Sequence, residues 1–305
     1  MLLVTGFPGF ITSQLLPRLL AADPDRRATC VVQDVHAGEA RRALDSMEAR
    51  APGSSARVRL VEGDITAPGM GLATRSGLAA VTDVWHLAGV YDTVAPRPLA
   101  ERVNVAGTRH VLDLAAELPR LRRVHHISTC YVSGDHPGVF REEDLDVGQG
   151  FHSVYDETKF LAEAEVRKAA AGGLPVTVYR PASVVGDSRT GWTQKYDGPY
   201  FLFRLLLRQP AALALVPRFS DPSRAHFDIV PVDYLVAVLS RLAVREDGVG
   251  TTYQVTDPEN LTVADIVAAA AAATGRRVVP LPLPLSPVRR LAGLPGVRRL
   301  VQIPA

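Results

Sequence analysis

A tyrosine and a lysine four positions apart carry the strongest chemical signal in this sequence. Tyr155 and Lys159 fall in a stretch whose pattern predicts a helix over Val154–Ala171, so their side chains share one face. A free tyrosine has a pKa of about 10, too high for acid–base work at neutral pH, and a neighbouring ammonium group lowers it. The pair therefore suits proton transfer to or from a substrate oxygen, although the same spacing also arises by chance on helices.

Two hydroxyl side chains precede this helix at the end of a predicted strand. The strand is predicted over Val124–Ser128 and Thr129 follows it, so both hydroxyls fall at its carboxyl end. Ligands of parallel sheets bind beyond the carboxyl ends of the strands. Either Ser128 or Thr129 could therefore donate a hydrogen bond to a substrate oxygen.

A glycine turn near residue 6 predicts a phosphate site. The strand predicted over Met1–Thr5 runs into Gly6 and Gly9, and a helix is predicted over Phe10–Ala22. Gly6 permits a tight turn, and Gly9 lets the backbone approach a pyrophosphate at the helix N-terminus. The cofactor contacts predicted from this turn are Gly6, Phe7, Pro8, Gly9, Phe10 and Ile11.

Two residues depart from the ideal form of this turn and helix. Thr12 takes the place of a third glycine, which serves helix–strand packing, so we expect looser packing with the phosphate site intact. Pro17 falls inside the predicted helix, where it is expected to produce a kink.

Acidic residues after the next two strands bear on the choice of cofactor. Asp34 follows the strand predicted over Ala28–Gln33, where a carboxylate can accept hydrogen bonds from an adenosine ribose and reject a 2′-phosphate. Arg41 and Arg42 follow on the next predicted helix and could instead attract that phosphate, so NAD(H) and NADP(H) both stay open. Asp64 could bond the adenine amino group or be a solvated loop carboxylate.

Small residues at the end of the fourth predicted strand suit a backbone that lies against a cofactor. Ala88 and Gly89 follow His86, which we interpret as structural rather than catalytic. Together the strand ends predict cofactor contacts from Gln33, Asp34, Asp64, Ile65, Leu87, Ala88 and Gly89.

The elements that must position these residues alternate between strand and helix. Strands are predicted at Met1–Thr5, Ala28–Gln33, Arg57–Glu62, Val81–Leu87, Val124–Ser128 and Val176–Arg180, and helices at Phe10–Ala22, Ala37–Arg50, Leu99–Glu117 and Val154–Ala171. The strands are apolar on both alternations, as strands buried on two faces are. This alternation predicts an α/β fold with a Rossmann-type doubly wound parallel sheet.

The regular alternation of predicted strands and helices ends after residue 180. The later predicted elements are a helix at Tyr200–Leu207, a strand at Phe227–Val230, a helix at Val232–Leu242, a strand at Thr252–Val255 and a helix at Val263–Ala273. We therefore expect a dinucleotide-binding Rossmann domain over 1–180, to which 226–256 returns. A smaller C-terminal substrate-binding lobe would consist of 181–225 and 257–305.

Composition argues against several classes of function. The 305 residues include 34 basic and 32 acidic side chains, and the resulting net charge of +2 gives no footprint for nucleic acid. Cys30 and Cys130 are expected to be reduced core residues inside strands. Because the sequence shows no secretion signal, no apolar run of about 20 residues and no metal-binding pattern, we expect a cytoplasmic protein without a metal.

The motifs taken as a set resemble a known superfamily. They are TGFPGF, HLAG, NVAGT, STCYVSG, YDETK and YRPASVVG, and the set is similar to that of the extended short-chain dehydrogenases/reductases. Within the superfamily the chain looks most like the male-sterility-type NAD-binding branch, which holds the fatty acyl reductases and thioester reductase domains. The resemblance covers residues 1–260, and relatives of this branch usually extend past Ala305.

The resemblance implies a role for each matching position. Tyr155 is the implied proton donor or acceptor, Lys159 is implied to bind the nicotinamide ribose and lower the pKa of Tyr155, and Thr129 is the implied hydroxyl partner. Asn104 is implied to position a water or the active-site helix, and a structural cap is the alternative. The resemblance favours NADP(H), whereas Gln33-Asp34 keeps NAD(H) open. The implied neighbours of the nicotinamide are Pro181, Ser183 and Val184.

Aromatic residues are dense in the segment that follows the predicted sheet, namely Trp192, Tyr196, Tyr200, Phe201 and Phe203. Such a loop suits the wall of a site for an apolar substrate, and packing of the lobe's own core is the alternative. The predicted substrate contacts are Ser128, Tyr131, Trp192 and Tyr200.

Three functions follow from these patterns. The first is an NAD(P)H-dependent oxidoreductase that reduces an apolar acyl thioester, aldehyde or ketone, with Tyr155 as proton donor. The second is an NAD-dependent dehydrogenase or epimerase of a sterol or nucleotide sugar. The third, a catalytically idle cofactor-binding regulator, is opposed by the intact Thr129, Tyr155 and Lys159.

The partner expected in each case is a small molecule, in a monomer or a homodimer. The basic and apolar region Arg289–Arg299 could lie on a membrane surface or a partner, and a solvated tail is the alternative.

Overall fold

Seven strands form one parallel sheet in the computed structural model of the chain. The structure describes residues 1–92, 95–194, 196, 198, 200–210, 212–218, 226–257 and 261–282. The strands of the whole described chain are β1 Leu2–Thr5, β2 Ala28–Val32, β3 Val58–Glu62, β4 Asp83–His86, β5 Arg123–Ile127, β6 Val176–Pro181, β7 Ser183–Val185, β8 Ala214–Arg218, β9 Ile229–Pro231, β10 Thr252–Val255 and β11 Val278–Pro282. The order across the sheet is β3-β2-β1-β4-β5-β6-β10.

Every pairing in this sheet is parallel, and the order reverses between β1 and β4. The helices are α1 Phe10–Ala21, α2 Ala37–Arg50, α3 Arg97–Ala100, α4 Gly107–Ala116, α5 Val154–Ala171, α6 Tyr200–Leu207, α7 Val232–Leu242 and α8 Val263–Thr274. The predicted α/β fold with a Rossmann-type parallel sheet is therefore confirmed, and a crevice at a reversal of strand order is where such sheets bind ligands.

Four strands of the sheet are buried along their whole length. All residues of β1, β2, β5 and β6 are buried. A strand buried on two faces needs apolar side chains at successive positions, which explains the continuous apolar runs of the sequence. Cys30 belongs to this core, and burial raises the pKa of its thiol to about 12. Cys130 lies in the turn after β5, so its predicted place inside a strand is wrong.

The helix predicted over Leu99–Glu117 differs from the one observed. A π-helical turn at Glu101–Ala106 separates α3 from α4 and carries the buried Asn104. Such turns insert one extra residue into the helix and frequently occur at functional sites. Sequence periodicity alone does not reveal the insertion, because the apolar pattern continues on both sides of it.

Two compact units divide the chain. The first is Met1–Gly191 with Pro231–Val255 and contains the seven-stranded sheet. The second is Trp192–Val230 with Thr256–Ala305, in which β8 pairs in parallel with β11. Its small core is formed by Leu206, Ala214, Val216 and Ala270. The boundary lies after residue 191 rather than after 180, and residues 226–230 belong to the second unit.

Within the described part of the chain, no helix combines the length and the apolar character needed to cross a membrane. The region Arg289–Arg299 lies outside the described residues.

Candidate active site

The glycine turn after β1 tolerates no larger residue at two positions. Gly6 has a φ of +83°, and a Cβ on it would lie 2.6 Å from the amide nitrogen of Ala88. A Cβ on Gly9 would lie 2.6 Å from the carbonyl oxygen of Gly6, to which the Gly9 amide donates a hydrogen bond of 2.8 Å. Since α1 begins at Phe10, the bare backbone of Gly9 lies at a helix N-terminus, where an anion is stabilised.

Thr12 closes this turn instead of loosening it. Its side chain is buried, and its hydroxyl donates to the carbonyl oxygen of Gly6 at 2.9 Å. Ser13 makes a similar bond to the carbonyl oxygen of Pro8 at 3.0 Å. The expectation of looser packing is therefore wrong, because the threonine hydroxyl adds a bond that a third glycine lacks. Helix α1 also continues through Pro17 to Ala21.

The acidic residues predicted to meet the nucleoside lie at the ends of β2 and β3. Asp34 is exposed and opens a short 3₁₀ turn that follows β2. Asp64 is half-buried, and its carboxylate accepts a hydrogen bond of 2.8 Å from the Thr66 amide. Burial favours the protonated acid, but hydrogen bonds from Thr66 and Gln33 outweigh it and lower the pKa of Asp64. Asp64 is thus a charged acceptor, as a contact with an adenine amino group requires.

Tyr155 lies in the first turn of α5, and the hydroxyl of Thr129 reaches it from the end of β5. Ser153 caps the helix, since its hydroxyl oxygen accepts a bond of 3.1 Å from the Asp156 amide. Burial raises the pKa of Tyr155, and the hydrogen bond with Thr129 only partly opposes that effect. A phenol with a raised pKa stays protonated at neutral pH, so the Tyr155 hydroxyl keeps its proton there.

Lys159 is buried one turn further along α5. Its ammonium group donates a hydrogen bond of 2.7 Å to the carbonyl oxygen of Ile127 in β5. Burial lowers the pKa of Lys159 to about 8, and the charge of Glu163 opposes this effect. The expected lowering of the Tyr155 pKa by Lys159 is not seen, because burial dominates at the phenol.

Ser128 and Thr129 point to different partners, which separates the two candidate hydroxyls. The Ser128 hydroxyl donates to the buried carboxylate of Glu163 at 2.6 Å. Glu163 also binds Arg180 at 2.8 Å, and both side chains are fully buried. The prediction of Ser128 as a substrate contact is therefore not supported, and Thr129 stays the predicted hydroxyl partner of Tyr155.

Tyr131 and Ser183 meet close to that centre. Their hydroxyl oxygens are 2.8 Å apart, and the amide of Tyr131 donates to the Thr129 hydroxyl at 3.3 Å. Pro181 ends β6, and Val184 lies with Ser183 in β7. The predicted nicotinamide neighbours thus follow the strand next to β5.

Asn104 joins the loop after β4 to the catalytic helix. Its amide oxygen accepts a bond of 2.8 Å from the Val90 amide, and its amide nitrogen donates to the Val90 carbonyl at 2.9 Å. The same nitrogen donates to the Thr158 hydroxyl at 3.0 Å. Because Thr158 lies between Tyr155 and Lys159, this geometry favours the helix-positioning role of Asn104 over a water-positioning role.

The aromatic segment belongs to the second unit. Trp192 is 46% exposed. Tyr200 begins α6, and its ring packs edge-on against Tyr196 at 5.6 Å and against Phe203 at 5.7 Å. Phe203 also packs against the small core of this unit, which matches the alternative in which the aromatics pack the lobe's own core. The side chain of Phe201 is outside the described residues.

Sequence reasoning missed the buried ion pair of Glu163 with Arg180. A signal was available, because Glu163 follows Lys159 by four residues and so shares its helix face. His86 was recognised as structural, and it is buried between Thr5 and Thr108. No group of three His, Cys, Asp or Glu residues within the described ranges could hold a metal ion.

A parallel sheet of this order with a glycine turn after β1 defines a Rossmann-type dinucleotide-binding protein. The chain belongs to the NAD-binding family described as male sterility protein, whose model matches residues 4–239. The predicted membership of the extended short-chain dehydrogenases/reductases is confirmed, and the chain is an NAD(P)-dependent oxidoreductase of a family that uses a nicotinamide cofactor and acts on small molecules.

Relatives of known sequence and structure agree with this family. The chain is 29% identical to a linear gramicidin synthase protein of Brevibacillus parabrevis over 88% of its length and 5% of that protein. It is 28% identical to the fatty acyl-CoA reductase wat of Drosophila melanogaster over 60% of its length and 40% of that protein. The terminal R domain from the myxalamid PKS-NRPS biosynthetic pathway matches with a TM-score of 0.81 and 27% identity, over 98% of this chain and 76% of that one. The chain thus spans a minor part of these two curated relatives.

Proposed function

We propose that the chain reduces an acyl thioester, aldehyde or ketone attached to an apolar group, with Tyr155 as proton donor. The observation that carries the proposal is the placement of Tyr155 and the buried Lys159 one turn apart on α5, with the buried Thr129 directly after β5, at the carboxyl edge of a parallel sheet. The names of the relatives support the reaction class, since they include a fatty acyl-CoA reductase and an aldehyde reductase.

The residues fit a nicotinamide dinucleotide. Bare backbone at Gly6 and Gly9 leaves room for a pyrophosphate beside the N-terminus of α1. Asp64 supplies a charged acceptor for the adenine, and Ala88-Gly89 presents backbone along the cofactor. When bound, the cofactor supplies the hydride.

The chain's own residues supply and position the proton. For a thioester that has received the hydride at its carbonyl carbon, Tyr155 would protonate the carbonyl oxygen, and the product would be a hemithioacetal. Cleavage of its carbon–sulfur bond releases the thiol and leaves an aldehyde. The same two transfers convert an aldehyde to a primary alcohol. Thr129 donates to the substrate oxygen and holds the carbonyl within reach of Tyr155.

Three features of the nucleoside end bear on the choice between NAD(H) and NADP(H). Asp34 is exposed at the end of β2, where its charge would repel a 2′-phosphate. Gln33 is engaged with the carboxylate of Asp64. Arg41 and Arg42 are exposed on α2 and would attract the phosphate. We propose that Asp34 sets the balance, which weakens the preference for NADP(H) that the family resemblance favours.

An apolar acyl chain is the proposed substrate group. Removal of about 200 Å² of apolar surface from water contributes about 5 kcal/mol before ordering costs, more than one exposed ion pair supplies. We place this contact in the second unit, with Trp192 as part of it, because Trp192 is a large apolar side chain that is partly exposed.

The experiment is a series of saturated acyl-CoAs from acetyl to palmitoyl, with the matching aldehydes and with UDP-sugars. We expect kcat/KM to rise with chain length, and Trp192→Ala to flatten the rise. Tyr234→Ala, which alters an exposed aromatic residue on α7, is the matched control and should keep the slope. Turnover of UDP-sugars without any dependence on chain length would contradict the proposal and favour the dehydrogenase or epimerase alternative.

A further inference from the structure

One chain of hydrogen bonds joins the glycine turn, the end of β4 and the π-helical turn. The Ala88 amide donates to the Thr5 hydroxyl at 3.3 Å, and that hydroxyl lies 2.8 Å from Nδ1 of His86. Nε2 of His86 lies 2.9 Å from the Thr108 hydroxyl, which in turn donates to the carbonyl oxygen of Asn104 at 2.6 Å. All three side chains in the middle are buried.

The Asn104 end of this chain fixes which ring nitrogen of His86 carries a proton. A carbonyl oxygen can only accept, so the single proton of Thr108 goes to Asn104 and the Thr108 oxygen must accept from Nε2 of His86. At the other end the Thr5 oxygen accepts from the Ala88 amide. Because the buried imidazole is neutral and its one proton is on Nε2, Nδ1 accepts from the Thr5 hydroxyl.

The imidazole is held in that state by its surroundings. Burial lowers the pKa of His86 to about 3, and the charge of Lys159 acts in the same direction. A protonated ring would carry a second N–H at Nδ1 and could no longer accept from Thr5. The chain therefore persists across the physiological pH range.

We propose that His86 is a positioning residue of the cofactor site, which holds the phosphate turn and the β4 loop in a fixed relation to the catalytic helix. On one side, Thr5 precedes Gly6, and a Cβ on Gly6 would lie 2.6 Å from the Ala88 nitrogen, so these two backbones are already in close contact. On the other side, Asn104 carries the bonds to Val90 and to Thr158 on α5.

This inference rests on the proposed function, because it assigns the turn and the loop to a nicotinamide cofactor. It assigns a separate structural role to each ring nitrogen of His86. The Nδ1 contact fixes the nucleotide-binding turn. The Nε2 contact reaches Asn104 and through it the helix that carries Tyr155 and Lys159.

Two amide substitutions test the two contacts separately. An asparagine side chain places its oxygen near the position of Nδ1, so His86→Asn keeps an acceptor for Thr5 and loses the donor for Thr108. A glutamine side chain reaches the position of Nε2, so His86→Gln keeps the donor and loses the acceptor. The matched control is His126→Gln. His126 is equally buried and pairs with His86 across β4 and β5, yet neither of its ring nitrogens has a partner within the described part of the chain.

We expect His86→Gln to weaken binding of NADH and NADPH about tenfold, the size of one lost hydrogen bond. His86→Asn should lower kcat about tenfold with a nearly unchanged cofactor Kd. His126→Gln should change neither quantity. If a His86 variant does not fold, Thr108→Val and Thr108→Ser replace it, and serine should rescue the kcat that valine loses.

Imidazole ¹⁵N NMR spectra of the wild-type protein report the tautomer and the protonation state of His86 directly. The hydrogen-bond chain requires the Nε2–H tautomer of His86 and no titration between about pH 5.5 and 8.5. A titrating ring, an Nδ1–H tautomer, or His86 variants that bind and turn over like the wild type would overturn the positioning role alone. A wild-type protein that binds neither NADH nor NADPH would contradict the proposed function and the positioning role together.

Discussion

The ammonium nitrogen of Lys159 lies 2.7 Å from the carbonyl oxygen of Ile127, the last residue of β5. This bond ties α5 to the strand end immediately before Ser128 and Thr129. Tyr155 lies one turn earlier on the same helix, so the contact restrains the helix that carries the Tyr155 phenol. Lys159 thus combines a buried ammonium group with a direct contact between α5 and β5.

The first prediction concerns the proton donor. Tyr155→Phe keeps the ring and removes the transferable proton, so kcat should fall about 100- to 10,000-fold while the cofactor still binds. Single-turnover kinetics and a cofactor titration measure the two effects. Tyr131→Phe is the control, because it removes a phenolic hydroxyl that binds Ser183 near the same centre, and it should cost far less. An equal loss of kcat in the two variants would contradict the assignment of Tyr155 as proton donor.

The second prediction is a pH dependence. Lys159 is charged below its pKa of about 8 and neutral above it, a value that burial lowers against the charge of Glu163. Steps that need the ammonium group should therefore weaken as pH rises through about 8. A pH profile of kcat/KM for the cofactor should show this limb in the wild type, and Lys159→Met should lack it. A wild-type profile that is flat from about one pH unit below this pKa to about one and a half above it would refute the assignment.

The third prediction concerns the phosphate turn. Gly9→Ala places a Cβ 2.6 Å from the carbonyl oxygen of Gly6, so the turn must open and the cofactor Kd should rise at least about tenfold. Gly38→Ala is the matched control, because Gly38 lies in α2 and its Cβ would approach Arg42 no closer than 3.7 Å. Isothermal titration of both variants decides the point. Wild-type affinity in Gly9→Ala would show that the turn does not hold the cofactor.

The fourth prediction concerns cofactor choice. Asp34→Arg replaces a carboxylate that would repel a 2′-phosphate with a group that pairs with it, so the ratio of kcat/KM for NADPH to that for NADH should rise about 100-fold or more. The ratio is measured with one saturating substrate. Asp45→Arg makes the same charge change on α2, away from the end of β2, and should leave the ratio unchanged. A similar ratio in wild type and Asp34→Arg would place the discrimination elsewhere.

The fifth prediction compares a buried with an exposed ion pair. Glu163→Gln leaves the fully buried Arg180 without its counter-ion and should cost about 3–5 kcal/mol of unfolding free energy. Glu157→Gln removes the partner of the exposed Arg97, where solvent screens the charges, and should cost much less. Urea unfolding measures both. If the folded Glu163→Gln protein is as stable as Glu157→Gln, the buried pair does not anchor α5 to β6.

Sequence alone was sufficient for the sheet, the glycine turn and the Tyr155 helix, because each has a local pattern. Hydrophobic periodicity identified the strands, and Ser153 caps α5 as its position predicts. Side-chain direction was harder. Successive side chains of an extended chain point to opposite faces. Only one of Ser128 and Thr129 can therefore face a given site, a rule that the sequence analysis could have applied.

Contacts between residues that are far apart in the chain could not be predicted from the sequence. The bond from Thr12 to Gly6 depends on the geometry of a turn that only the fold defines. The π-helical turn around Asn104 is an insertion within a continuous apolar pattern. Arg180 meets Glu163 only because β6 lies beside β5 and packs against α5. Each feature follows from tertiary packing rather than from local propensity.

The most direct test of the proposed reduction is transfer of deuterium from a reduced cofactor in which both hydrogens at the nicotinamide C4 are replaced by deuterium. The labelled cofactor is mixed with an acyl-CoA and, separately, with a long-chain aldehyde, and the products are analysed by mass spectrometry. We predict one deuterium on the former carbonyl carbon for each cofactor oxidised, at a rate that Tyr155→Phe lowers about 100- to 10,000-fold. Cofactor that binds tightly yet delivers no deuterium to either carbonyl would contradict the account.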